Sequence, residues 1–318
     1  MSEPTIGVIF ALLASTSWAL GAVVARVGMR QVGSSIGTLI SLVAGFVVIS
    51  SIALIIDFDA IFTVSSSTLR WLALLGCIQF PVGRFLHYSG IRLAGVGPAS
   101  TVGGAVPLFA VVIAIIFLGE QLTYSIAVGT VTVALGLALV MSRAHAQSLP
   151  EDPSSIRPSS HSVETPTPHR FEGTMALGIL CSLAGAIAYG AGHNIARYVV
   201  TSAASAPVTA SYTLFFGMVI LAVFSLPQLG RIVTVPRRAV LTMATSGVLS
   251  SLAIFFMYTA LSKAPVTLAS PLVALYPLIA MTLTHFFLRR LERITLGMVI
   301  GAIMVAVGVT FVIVGKAG

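Results

Sequence analysis

The feature that most restricts what this chain can fold into is that it is written twice. At an offset of 171, Gly7, Gly21, Ala25 and Arg26 match Gly178, Gly192, Ala196 and Arg197, with Trp18 opposite Tyr189. At 170, Tyr88, Ala99, Ser100, Pro107 and Leu108 match Tyr258, Ala269, Ser270, Pro277 and Leu278. At 172, Glu120, Thr123, Gly129 and Gly136 match Glu292, Thr295, Gly301 and Gly308, so residues were gained near Arg289 and Arg290. Each copy holds five apolar blocks of about 20 residues, the length that crosses a ~30 Å hydrocarbon layer as helix. Five is odd, so duplicated halves in one chain enter the membrane in opposite senses. The expected fold is an all-α membrane protein of ten transmembrane helices, arranged as two inverted-topology five-helix repeats. The expected spans are 6 to 25, 36 to 56, 70 to 91, 97 to 118, 122 to 141, 174 to 196, 206 to 226, 239 to 261, 265 to 288 and 294 to 314.

Composition excludes a soluble reading. The 318 residues are 57% hydrophobic and 8% charged, where soluble domains carry about 25% charged residues. The first repeat is expected over 1–142 and the second over 174–318. Between them 143–173 holds prolines 150, 153, 158, 166 and 168 among serines and mixed charges, which reads as a disordered linker. His145, His161 and His169 in it are too irregularly spaced for a metal tract. Cys77 and Cys181 lie in apolar blocks, where thiols act as small hydrophobes, so neither disulfide nor metal site is expected. The first block lacks a positive n-region and reads as an uncleaved span.

The net charge of +8 reads as loop topology, since no basic cluster is dense enough for nucleic acid. Its bias flips between the halves, as inversion requires. Twelve of the 17 Lys and Arg fall in the loops after the odd-numbered helices, and by the positive-inside rule both termini then face outward.

Ten helices as a 5+5 inverted repeat, with "VPLFAVVIAIIFLGEQLT" closing the fourth and opening the fifth, resemble the EamA-type branch of the drug/metabolite transporter superfamily. The resemblance covers both repeats, although "FFLRRLERITLG" puts Arg289 and Arg290 where the first copy has glycine. It implies a multi-pass protein of the cell (plasma or inner) membrane, monomer or homodimer, whose partners are the bilayer and a small-molecule substrate. It implies transport without ATP of small polar metabolites such as amino acids or organic anions, or of drug-like compounds. Many ten-helix relatives are expected to keep both termini in the cytoplasm, opposite to the charge reading.

All nine carboxylates lie in loops or at span ends, so no intramembrane acid can exchange protons for lipophilic cations, as the four-helix multidrug relatives do. With no carboxylate dyad, metal cluster or phosphate-cradling loop, no enzyme, cofactor or metal is expected. Glu120 and Glu292 are expected to cap the helix that follows each, where negative charge meets the helix dipole.

Arg84, His87 and Tyr88 in "FPVGRFLHYSG" share one helical face below Pro81, which is expected to kink the helix. Arg84 either snorkels to the interface or faces a cavity and pairs with an anionic group of the substrate. His193 and Asn194 replace Ala22 and Val23 of the first copy and are candidate binding residues; the alternative is a satisfied interfacial histidine. Trp18, Tyr189, Tyr258, Ser100 and Ser270 are candidate lining residues, with packing or belt anchoring as the alternative for the aromatics. Pro107 and Pro277 are candidate hinges. The faces Ser125/Gly129/Gly136 and Gly297/Gly301/Gly308 are expected to pack helices closely. A membrane scaffold or processing protein without transport activity, and a small-solute channel, are the competing readings.

Overall fold

The computed structural model describes residues 2–28, 32, 34–94, 102–146, 168–225, 235–287 and 296–317. Among them the first repeat comprises α1 (Glu3–Gly28), α2 (Ser34–Ile56), a short α3 (Phe58–Phe62), α4 (Ser66–Cys77), a π-helical turn (Ile78–Val82), α5 (Gly83–Ala94), α6 (Val106–Leu118) and α7 (Tyr124–Ala146). The second comprises α8 (Pro168–Ser202), α9 (Ala206–Ser225), α10 (Arg237–Lys263), α11 (Val266–Val273), α12 (Tyr276–Phe287) and α13 (Leu296–Ala317). Eight spans among the described residues are long and apolar enough to cross a membrane, and a shorter apolar segment, Val106–Leu118 or Val266–Ala280, occupies the fourth position of each repeat. The expected linker is entered by helix at both ends, up to Ala146 and from Pro168; its middle lies outside the described residues.

The inversion is visible in how equivalent helices meet. Between α2 and α9, Ser50 pairs with Ser211 at 2.7 Å and Phe46 with Phe215 at a centroid distance of 5.8 Å, so the order runs backwards. Between α7 and α13, Gly129 lies against Gly308 and Gly136 against Gly301; a Cβ on either first-repeat glycine would stand 2.5 or 2.7 Å from the facing carbonyl oxygen. The two expected glycine faces therefore pack against each other, in a lipid solvent where close backbone approach drives association.

Partnerships also exchange under the repeat. α1 packs on α10 as its counterpart α8 packs on α5, and α1 meets α11 and α12 as α8 meets α6. Nearly every large interface joins one repeat to the other, so neither half has a core of its own.

Pro81 does more than bend its helix. Lacking an N–H, it cannot bond the carbonyl four residues back, and the chain re-registers so that the Gly83 N–H reaches the Ile78 carbonyl. The expected kink is thus a π turn, a widened turn that frequently marks functional sites.

Pro107 and Pro277 start new helices. The chain turns at Gly104–Ala105 and at the equivalent Ala274–Leu275, and each proline then sits in the first turn of α6 or α12, where an N–H has no intrahelical acceptor anyway. Both fourth-position segments therefore carry a break, after Gly103 in the first repeat and after Val273 in the second.

Candidate functional site

The two breaks meet at a cavity of about 430 Å³ that runs from the middle of the bundle toward the ends of α1, α7 and the start of α10. That is the end of the bundle nearest the inter-repeat linker. The volume lies within the range of about 300 to 1,000 Å³ usual for small-molecule sites.

Part of the lining is aromatic: Trp18 from α1 against Tyr276 at a centroid distance of 6.4 Å, Tyr189 from α8, and Phe80. Tyr189 reaches this position because α5 begins with Gly83, where a Cβ would come within 2.9 Å of its ring. Interleaved with these rings are polar groups, uncharged among the described residues. His193 Nδ1 lies 3.0 Å from Ser270 Oγ, joining α8 to α11 in the buried interior. Tyr258 is buried with its hydroxyl beside Gln79 and Thr213, without an aligned hydrogen bond to either. Gln79 reaches the cavity from the π turn, while Ser246 and Ser250 reach it from α10. Among the described lining residues there is no Asp, Glu, Lys or Arg.

The chain thus brings together Trp18, Tyr189, His193, Tyr258, Ser270, Pro107 and Pro277 from the sequence expectations. Asn194 is not part of the lining. One residue on from His193 it points about 100° around the helix, and its Nδ2 donates to the carbonyls of Ala110 and Gly190, both at 2.9 Å. It ties α8 to α6. His87 is half-buried on α5, behind Gly103 of the lining. Pro81 acts indirectly, through the turn that turns Gln79 and Phe80 inward. The side chains of Arg84 and Tyr88, and Ser100 altogether, lie outside what the structure describes.

Glu120 also departs from expectation. It caps no part of α7; its Oε1 accepts the Val266 N–H at 2.8 Å and its Oε2 the Thr267 N–H at 2.9 Å. The acceptor is right for a helix start, and the helix belongs to the other repeat. Gly119 explains the reach: at φ 65 it takes the left-handed conformation that glycine alone adopts without strain. Its N–H and that of Glu120 both return to the Ala114 carbonyl, so the chain reverses and aims the carboxylate at α11. Glu292 lies outside the described residues.

Sequence reasoning missed Gln79, Tyr276, Ser246 and Ser250. Gln79, a polar residue in an apolar helix two before a proline, carried a readable signal. The serines are indistinguishable by pattern from helix-packing serines.

A model of the EamA-like transporter family matches residues 5–142 and 176–314. The chain belongs to that family. A protein of Bacillus subtilis described as the uncharacterized transporter YvbV is 33% identical over 149 residues, which is 45% of this chain and 47% of its own length. An uncharacterized transporter of Clostridium kluyveri is 28% identical over 136 residues, 42% of this chain and 43% of its own. The chain thus spans about half the length of these curated relatives. A crystal structure superposes with a TM-score of 0.68 at 17% identity, covering 99% of this chain and 98% of its own, and shows the shared fold.

Proposed function

We propose that this EamA-family chain is a secondary transporter that carries a small polar metabolite, uncharged or zwitterionic overall, by alternating access of its two inverted repeats, with 143–173 as the tether between them. The observation that carries the reading is the cavity at the paired helix breaks, lined by aromatic rings and by hydrogen-bonding groups without fixed charge among the described residues. A group bearing net charge would be desolvated there without a counter-charge among the described side chains, at a cost of several kcal/mol. A zwitterion such as an amino acid brings its own compensation, and its carboxylate end suits the two helix starts at Val106 and Tyr276, whose dipoles are positive toward the break. In this reading His193, Ser270, Gln79 and Tyr258 hold the polar part of the substrate, and Trp18, Tyr189 and Tyr276 hold the rest.

Arg84 provides the second arm of the proposal, because an organic anion needs a planar bidentate partner. Uptake of labelled neutral amino acids and of dicarboxylates into proteoliposomes, with and without a pH gradient, tests both arms. Saturable uptake of the zwitterions is expected. No flux of either class leaves a scaffold, and flux linear in concentration leaves a channel. Saturable dicarboxylate uptake that Arg84→Leu abolishes and Arg84→Lys weakens would move the assignment to organic anions.

A further inference from the structure

Among the described lining residues none comes from Glu3–Phe10 of α1, from the start of α7 or from the end of α13, at the end of the bundle where the chain termini lie, and at that end one carboxylate spans the repeats. α11 is only eight residues long, every one of them buried, and it is joined to α10 through Ala264 and Pro265 alone. Its first N–H groups have no partner of their own helix, and Glu120 takes those of Val266 and Thr267 together. One turn further along the same helix is Ser270, the partner of His193. At the same end, the Arg197 guanidinium donates to the Leu261 carbonyl at the end of α10 and lies within range of the Glu120 charge. The same end is closed laterally where Gly7 lies against Ala264, so close that a Cβ would come within 2.4 Å of the Ala264 Cβ. At the rim, Lys263 Nζ meets Glu3 Oε1 at 2.8 Å in partly exposed positions.

We infer that Glu120 is the latch of a terminal-side gate: its carboxylate holds α11 down over the cavity, and the gate opens when α11 leaves it. Arg197 makes such a change feasible. A half-buried carboxylate that gives up two N–H donors needs another partner at once, or it is left as an uncompensated charge. The guanidinium, held on the Leu261 carbonyl within range of the Glu120 charge, is the group that would exchange that carbonyl for the carboxylate and give the end a second arrangement. Ser270 moves with α11, so opening the gate also parts the His193–Ser270 pair and couples the state of the gate to the polar lining of the cavity. The repeat carries the same residue types at Glu292 and Arg26, whose side chains are outside the described set.

The inference rests on the alternating-access reading, and its test uses no substrate. In a background with Cys77 and Cys181 replaced by alanine, Ala274→Cys places a thiol in the cavity wall next to α11, and Ser2→Cys in a separate chain marks the terminal face. A membrane-impermeant maleimide is applied to intact cells and to inverted vesicles. With Glu120 present, the cavity thiol is expected to react chiefly from the face opposite Ser2. Glu120→Gln, which cannot accept with both side-chain heteroatoms, is expected to raise its labelling rate from the Ser2 face at least threefold; a smaller rise overturns the latch. Glu3→Gln, which removes only the rim ion pair, is expected to stay below that threshold, and an equal effect there would show the closure to be spread over the whole end. If the Gln variant does not accumulate in the membrane, Glu120→Asp, one methylene shorter, is read against the same threshold. A latch that responds in a protein showing no uptake would sink the transport reading and leave the gate standing.

Discussion

The third helix of each repeat occupies the same place in the bundle, yet the two are built differently. In the first repeat it is α4, a π turn and α5, while in the second it is α10, which runs unbroken for 27 residues. In their first halves both make close contacts with the other repeat: Gly76 of α4 lies against Thr213 and Phe216 of α9, and Gly247 of α10, beside cavity-lining Ser246, lies against Ser41 of α2. One turn on, α10 also presents Ser250 and Ser251 to the cavity, where the first repeat has Phe80 and Pro81. The pair shows where a duplicated transporter fold is free to diverge. Helix contacts between repeats have to be matched on both sides of the pseudo-twofold axis, whereas the cavity wall does not.

The largest effect separating the two helices is expected at their glycines. A Cβ at Gly247 would come within 2.0 Å of the Ser41 carbonyl oxygen, which is backbone, while at Gly76 the nearest atoms are 2.9 Å away. Gly247→Ala is expected to destabilise the protein by about 3 kcal/mol, and Gly76→Ala by about 1 to 2 kcal/mol, read as thermal unfolding in detergent. Equal losses would mean that the two helices are not packed as unequally as the distances state.

Next in size is the polar lining. His193→Phe removes the partner of Ser270 and leaves its buried hydroxyl unsatisfied, a cost of about 1 to 3 kcal/mol. It is expected to weaken uptake of the transported zwitterion by tenfold or more, with His193→Gln, which can still meet Ser270, losing less. A variant pair with the same loss would remove the hydrogen bond from the account and leave only ring volume.

The π turn offers a subtler test. Pro81→Ala restores the missing N–H, and a regular α-helix there would rotate Gln79 and Phe80 relative to α5. Unfolding temperature is expected to hold or rise while uptake falls severalfold, the opposition expected where a strained element serves function. Loss of stability and uptake together would make the turn a packing feature. The smallest effect belongs to α10: Ser250→Ala is expected to change stability by less than about 0.5 kcal/mol and to alter KM by less than threefold, because Ser246 and Ser251 remain as neighbouring hydroxyls. A large change at Ser250 would place a substrate hydrogen bond on α10.

Much of the fold was legible because the chain repeats itself. The offsets at Gly7, Pro107 and Glu120 fix which helices are equivalent, and an odd count per repeat forces the inversion that α7 and α13 display. The broken fourth helices followed from Pro107 and Pro277. In the cavity, His193 could be read as a departure from the repeat and Trp18 with Tyr189 as an aromatic pair kept by it. What stayed hidden depended on register between helices far apart in sequence. Nothing local tells Glu120 from a cap on its own following helix; only the left-handed turn at Gly119, combined with the position of α11, sends it to the other repeat. Asn194 stands outside the lining for the opposite reason: next to a cavity residue in sequence, it is about 100° around the helix in space. At Pro81 a kink and a π turn satisfy the same missing N–H, and the choice between them depends on the packing of Gly83 against Tyr189.

The reciprocal glycine seam between α7 and α13 has a consequence for how the protein is made. Helices leave the ribosome from the N-terminus onward, so α7 is in the bilayer with its Gly129 and Gly136 face uncovered until the final helix has been synthesised. The same holds for α1, which waits for α10, and for α2, which waits for α9. The first half of the chain is thus a set of inserted but unmatched helices during biosynthesis, held together mainly by contacts that arrive later. Loss of the last helix would strip the seam from a helix already in place. Such a truncation therefore strikes the earlier half of the molecule, and it is there that membrane quality-control proteases would find exposed glycine surface to engage.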